Sequence, residues 1–307
     1  MRTVTSETIT QAFLDYVGDD TDPRLRFLLE HLASHLHDFV RETGLTHAEW
    51  RKAIELMTRA GDITTPERNE FVLFSDVLGL SSLVDMVNSP PDGTPSSVLG
   101  PFHIVGAPDR PFGADLIGVD EGAPVVVGGE VRASDGSPIA GARIELWQTA
   151  DNGLYSNQDE AQDEWNLRAR FTTGGDGRYL FSTVRPAPYT VPADGPVGEL
   201  LRATGRHPWR PSHLHFIVQA DGYRPLVTEV FPSDDPYLDE DAVFGVRERL
   251  VMEYREGTDR AALPEALEAR DRIATPFSTV DFDFTLVADE SRADDTHGSP
   301  QTNRTDA

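Results

Sequence analysis

Ser89-Pro90-Pro91-Asp92-Gly93-Thr94-Pro95 decides how this 307-residue chain is read. Proline lacks the amide donor and clashes with the preceding helical turn, so this run cannot continue a helix and reads as a connection. The hydrophobic period differs on its two sides. Upstream, Leu25, Leu28, Leu29, Leu32, Leu36, Phe39 and Val40 recur at three- and four-residue spacing after Asp22-Pro23, which predicts an amphipathic helix over 24–41. Thr46 and Glu49 form a capping box for a second helix that carries Trp50, Ile54 and Met57 on one side and stops near Gly61. A third is expected after Thr65-Pro66, running through Phe71, Phe74, Val77, Leu78, Leu83 and Val87, and a short one over 9–17 precedes them all.

Downstream, β-rich runs at 125–131, 143–149, 168–172, 178–182, 213–219, 226–231 and 280–287 alternate with turns such as Ser134-Asp135-Gly136 and Gly174-Gly175-Asp176-Gly177. Short strands with such turn signals predict a β-sandwich. The expected fold class is therefore α+β, with an N-terminal helical domain (1–97) followed by a β-sandwich domain (98–288). From 289 to 307 the sequence is almost purely polar and is expected to be a disordered tail.

Composition narrows the function. With 27 Lys+Arg against 52 Asp+Glu the net charge is −25, which repels phosphate backbones and anionic headgroups, and no basic run offsets it. Neither a nucleic acid nor membrane insertion is expected. Cysteine is absent, which removes disulfides, thiolate zinc sites, iron–sulfur clusters and cysteine nucleophiles together. Any metal must be held by His, Asp, Glu or Tyr. Met1 to Glu7 lacks a signal-peptide pattern and no stretch approaches the roughly 18 apolar residues of a membrane span, so a cytoplasmic location is expected.

Of the nine histidines, His31 and His35 lie four apart on the first long helix, but the Leu25, Leu28, Leu32, Leu36 stripe is read as burying the opposite side, so both are expected in water, as are His37, His47 and His297. His213-Leu214-His215-Phe216 differs, because histidines two apart on a strand project from one face and converge on one ion, or form a hydrogen-bonded surface pair. Tyr189 stands in Pro186-Ala187-Pro188-Tyr189-Thr190-Val191-Pro192, where the prolines fix the backbone, and Tyr155 stands just past a strand end. Singly, such tyrosines are more often packing residues.

Taken together, the stretches 147–155, 186–192 and Arg206-His207-Pro208-Trp209-Arg210-Pro211-Ser212-His213-Leu214-His215-Phe216 closely resemble the intradiol ring-cleavage dioxygenases, and the resemblance extends through the helical front and the Gly128-Gly129-Glu130-Val131 strand. It implies one mononuclear non-heme ferric iron, Fe(3+), per chain, held by Tyr155, Tyr189, His213 and His215. Two tyrosinates are hard anionic donors that suit ferric iron, whereas Fe(II) oxygenases use two His and one carboxylate. It further implies that a catechol-type diol or triol and dioxygen are the substrates, that Tyr189 accepts a substrate proton as well as ligating, and that Arg210 stabilises developing negative charge. Within the family, Val98-Leu99-Gly100-Pro101-Phe102, the Thr204 to Trp209 run and Asp241-Ala242-Val243-Phe244-Gly245-Val246 look most like hydroxyquinol 1,2-dioxygenases, which yield maleylacetate or its tautomer 3-hydroxy-cis,cis-muconate. A catechol or substituted-catechol 1,2-dioxygenase, giving cis,cis-muconates, is the runner-up.

The implied pocket comprises Leu73, Asp76, Val98, Leu99, Gly100, Pro101, Phe102, Val191, Pro192, Arg210, Glu229 and Val243. Asp76 suits the third hydroxyl of hydroxyquinol, which catechol lacks. Glu229 departs from the family pattern, which often has Gln or His there; it pairs with Arg210 or hydrogen-bonds a substrate hydroxyl. The helical front is implied to form a homodimer and to enclose a phospholipid, with Leu28, Leu32, Phe39, Trp50 and Ile54 supplying the surface, although helix packing within one chain explains the same stripes. Two other readings compete. A transthyretin-like binding module accounts for 127–145 but not for the Tyr, Tyr, His, His set, and a zinc hydrolase lacks a nearby carboxylate to complete a familiar zinc set.

Overall fold

The computed structural model describes residues 3–65, 68–117 and 122–290; His297 and most of the polar tail lie outside the described residues. Close packing divides the chain into two units, 1–62 and 63–307. The first contains α1 (Ile9–Leu14), α2 (Pro23–Thr43) and all but the last residue of α3 (His47–Ile63). Asp22 caps α2 by accepting the Leu25 N–H at 2.9 Å, and Gly44 ends it at φ +60°, a conformation that other residues adopt at a cost. The capping box at α3 forms as expected: Glu49 accepts the Thr46 N–H at 2.9 Å and Thr46 accepts the Glu49 N–H at 3.3 Å. Arg41 ties α2 to the N-terminal segment by donating to the Ser6 carbonyl and the Thr10 hydroxyl, each at 2.8 Å.

One expectation fails here. The α2 stripe is not buried by the chain: Leu32 and Leu36 are 56% and 54% exposed, and Trp50 on α3 is 54% exposed. A unit of about sixty residues has too little mass to cover both faces of a long helix. His31 and His35 are exposed as expected, but the opposite face is not the reason.

The single helix expected through Phe71 and Val87 is two, α4 (Glu70–Val77) and α5 (Leu80–Asn88), both in the second unit. Asn69 starts α4 by accepting the Phe71 and Val72 N–H groups at 3.1 Å each, and Gly79 at φ +75° breaks the run. Then follow β1 (Ala114–Asp115), β2 (Pro124–Ala133), β3 (Arg143–Gln148), β4 (Arg168–Thr172), β5 (Arg178–Val184), β6 (Tyr189–Thr190), α5's successor α6 (Pro196–Ala203), β7 (Trp209–Arg210), β8 (Leu214–Gln219) and β9 (Leu226–Pro232). The last strands are β10 (Val251–Met252), β11 (Arg255–Gly257), β12 (Phe277–Asp281) and β13 (Phe284–Leu286). The run expected as one strand over 280–287 is thus divided between β12 and β13, both parallel to β2.

One sheet has the order β1-β5-β2-β12-β11, with β13 also on β2, and the other β10-β9-β8-β3-β4; β6 and β7 form a small ribbon. Alternation makes the sandwich. Ile144 and Leu146 of β3, Leu214, Phe216 and Val218 of β8, and Leu226 and Val230 of β9 meet Val125, Val127 and Val131 of β2, Phe181 of β5 and Phe284 of β13 in one buried cluster. Each such side chain contributes about 1.5–3 kcal/mol on burial. The same alternation turns Trp147, His215 and Glu229 to the other face of their sheet, and register sets them in one row, with Trp147 opposite His215 and His215 opposite Glu229. Glu70, fully buried, accepts the Val197 N–H at 2.9 Å and so joins α4 to the first turn of α6. No helix among the described residues is long and apolar enough to cross a membrane.

Candidate metal centre

Tyr155, Tyr189, His213 and His215, separated by up to 60 positions in sequence, come together as a buried group. Tyr155 leaves the turn after β3, where Gly153 sits at φ +79° and the Tyr155 N–H donates to Gln158 Oε1 at 3.1 Å. Tyr189 is held by β6, whose register places it opposite Arg210 of β7. His213 Nδ1 lies 2.8 Å from the Pro211 carbonyl oxygen. A carbonyl only accepts, so Nδ1 carries the proton and Nε2 presents a lone pair inward. That atom lies 3.1 Å from His215 Nε2 and 3.4 Å from the Tyr155 hydroxyl.

The donor set fits a metal. Two nitrogens each about 2.1 Å from one ion and about 90° apart lie about 3.0 Å from each other, which matches the Nε2 pair. Burial, and then the Arg210 charge, push the His213 imidazole below its ordinary range; burial and then His213 do the same to His215. Both are neutral, as ligands must be. Burial pushes the Tyr155 phenol well up, aided by Tyr189; it also raises Tyr189, against the pull of Arg210. Ionising either phenol in this dry site needs a strong cation at its oxygen.

Arg210 is only 2% exposed, so its charge is held inside the protein. It pairs with Glu229 at 2.8 Å and with both oxygens of Asp241 at 3.0 and 3.2 Å, and its Nη1 lies 3.4 Å from the Tyr189 hydroxyl. Burial opposes its charge, but Asp241 and Glu229 outweigh that and hold it ionised. Burial likewise opposes the Glu229 charge, and Arg210 reverses the effect, leaving that carboxyl below its ordinary range. Ser97 donates to Glu229 Oε2 at 2.5 Å. Contrary to the expectation that no carboxylate lies near the His pair, His213, His215 and Glu229 form a group close enough to share one ion.

Of the implied pocket, Leu73, Val98, Val191 and Val243 share one apolar cluster with Val77 and Val197. Phe102 stacks on Tyr155 at 4.7 Å and meets Tyr189 edge-on at 6.0 Å. Gly100, at φ +70°, sits so close to His215 that a Cβ there would be 3.4 Å from Nε2. Burial raises the Asp76 carboxyl, while a Ser81 hydrogen bond and the charge of Arg210 lower it, so Asp76 feels the same charges as the site. Pro192 is half-buried, whereas Leu99 (44% exposed) and Pro101 turn outward and only flank Gly100 along the chain. Sequence reasoning did not single out Ser97, Asp241 or the stack of Trp147 on His215 (4.6 Å, 7°) as site contacts. Asp241 had a signal, standing in the run that includes Val243; Ser97 had none. A cavity of about 570 Å³ opens beside Asp241, lined by Arg206, Phe244 and Arg247 among others, and contains none of the four candidate ligands.

Residues 100–288 match the family described as Dioxygenase, and 22–94 match the Catechol dioxygenase N terminus. The chain is 45% identical over 272 residues to the hydroxyquinol 1,2-dioxygenase of Rhizobium sp. strain MTP-10005, covering 88% of this chain and 91% of that protein. It is 47% identical to the 6-chlorohydroxyquinol 1,2-dioxygenase of Cupriavidus pinatubonensis, covering 82% and 92%. The structure of hydroxyquinol 1,2-dioxygenase from Pseudomonas putida DLL-E4 superposes with a TM-score of 0.85 at 41% identity, covering 92% of this chain and 99% of that one.

Proposed function

The chain belongs to the intradiol ring-cleavage dioxygenases, and from that premise we propose that it opens the ring of hydroxyquinol (benzene-1,2,4-triol) between its adjacent hydroxylated carbons, giving 3-hydroxy-cis,cis-muconate or its tautomer maleylacetate. What carries the reading is the buried convergence of two phenols and two neutral imidazoles. Tyr155, Tyr189, His213 and His215 would hold one Fe(III), which would supply Lewis acidity toward the diol and its ring.

The chain's own groups supply the rest. Tyr189, with Arg210 Nη1 3.4 Å from its oxygen, is the phenol whose anion is the less disfavoured of the two, so it is the group assigned to take a proton from the diol. Arg210, immobilised by two carboxylates, is a fixed cation for charge that builds on the substrate. The apolar walls Leu73, Val98, Val191 and Val243 exclude water. Asp76, at the end of α4, is assigned the third hydroxyl, which catechol lacks.

The exposed stripes of α2 and α3 support assigning the first unit to a homodimer contact, with a phospholipid as its apolar guest. The experiment for the site is a visible absorption spectrum of iron-loaded protein, alone and after anaerobic addition of hydroxyquinol and then catechol. A tyrosinate-to-iron band that shifts more with hydroxyquinol is expected. An iron-loaded protein without colour would remove the tyrosinate site.

A further inference from the structure

We propose that Glu229 is a positioning residue for His215: its Oε1 takes the Nδ1–H of that imidazole and so keeps Nε2 and its lone pair on the metal. The proposal rests on the iron site described above and concerns the residue at which this chain departs from the family pattern.

Register starts the argument. His215 and Glu229 are directly opposed on β8 and β9, so their side chains rise from the same face. The imidazole has no freedom to turn. Trp147 stacks on it at 4.6 Å and 7°, and Gly100 lies against its Cε1 and Nε2 edge. In this setting buried His215 Nδ1 has no hydrogen-bond partner, and buried Glu229 Oε1 lies 3.6 Å from it, ion-paired with Arg210 Nη1 at 2.8 Å and 3.3 Å from His213 Nε2 but accepting no well-aligned hydrogen bond.

The tautomer follows from chemistry. His213 keeps its proton on Nδ1, bonded to Pro211, so its Nε2 is a lone pair. When His215 Nε2, 3.1 Å away, also serves as a ligand, the one proton of the neutral ring must reside on Nδ1. The carboxylate oxygen facing that proton is Glu229 Oε1, and a shift of a few tenths of an ångström completes the bond.

Glu229 is itself braced by Ser97 at 2.5 Å and Arg210 at 2.8 Å, as a residue that aims another must be. An anion on Nδ1–H makes Nε2 a stronger donor than a neutral amide would, which favours the ferric over the ferrous ion.

A crystal structure and one variant test this on the iron-loaded full chain. In a crystal structure of that holoprotein, Nδ1 and Oε1 should lie within about 3.2 Å; a gap above about 3.5 Å, or another acceptor on Nδ1, overturns the proposal. In Glu229→Gln, iron should pass to a competing chelator more readily, toward the lower end of the about 10–100-fold that losing an outer-sphere partner costs. The ferric/ferrous potential should rise, each tenfold loss of ferric over ferrous affinity reading as about 59 mV, and the visible band should shift. A coloured parent with a variant unchanged in affinity, potential and band refutes the role of Glu229 and leaves the iron site standing. A colourless iron-loaded parent refutes both.

Discussion

Replacing Arg210 with methionine removes the one cation between two buried carboxylates. Asp241 retains the Val243 and Gly245 N–H groups at 3.2 and 2.8 Å, but Glu229, apart from the proposed contact with His215 Nδ1, retains only the Ser97 hydroxyl at 2.5 Å. Breaking a buried pair by removing one partner costs about 3–5 kcal/mol. At about 2–4 °C per kcal/mol for a unit of this size, the melting temperature should fall by about 6–20 °C. Loss of a fixed cation at the reacting centre should also lower kcat by about 10²–10³-fold. The cost should lie mostly in the stranded Glu229 charge. Adding Glu229→Gln to Arg210→Met should therefore restore part of the stability, with a coupling of about 0.5–3 kcal/mol.

Acidity supplies the sign. In the parent the Glu229 carboxyl is held below its ordinary range, so its contribution is present above the unfolded pKa and fades as pH falls through the folded one. In Arg210→Met the same carboxyl is expected above its ordinary range, its contribution present at low pH and lost as pH rises. The deficit of the variant should therefore shrink on acidification. Thermal unfolding by circular dichroism across pH, with the two singles and the double, is the assay. Additive losses and a pH-independent deficit would refute the reasoning.

Asp76→Asn should lower kcat/KM for hydroxyquinol by about 10–100-fold, the worth of a hydrogen bond to a charged acceptor, while catechol turnover changes little; equal losses on both substrates would move Asp76 out of the specificity argument. Gly100→Val should reduce iron content measured after purification, because a Cβ at φ +70° lies 3.4 Å from His215 Nε2; full occupancy would show that the contact is slack. Leu32→Glu with Leu36→Glu should turn a dimer into a monomer in light scattering at micromolar concentration, since both residues are exposed on the apolar face of α2. A parent that is already monomeric would count against the assigned interface.

The chain's order of events was legible without coordinates. Proline, glycine and cap residues act locally, so the capping box at Thr46, the break at 89–95 and the centres of β2, β3, β8 and β9 are readable from neighbours in sequence. Where a local signal is permissive rather than compulsory, tertiary context decided: Gly79 divides one hydrophobic run into α4 and α5, and α6 follows a Gly195-Pro196 start that the periodicity did not mark. The four candidate ligands were nameable because the two-residue spacing of His213 and His215 at the start of β8 and the proline-fixed loop of Tyr189 are local signals, and because their joint pattern resembles a known family.

What the sequence could not hold is register and enclosure. Nothing near Ser97 or Asp241 in the chain says that they join Glu229 around Arg210, because ion pairs and hydrogen bonds spanning 19 to 132 positions exist only once strands and loops are stacked. Nor does periodicity tell a stripe buried within one chain from a stripe left open. The leucines of α2 have the same spacing in either case, and only the size and packing of the folded unit leave them exposed. Sequence alone thus determined which groups carry chemistry, through residue type and local stereochemistry. Tertiary structure decided which of them share a dry, charged site, because burial and distance set whether a phenol, an imidazole or a carboxylate acts as a ligand or a bystander.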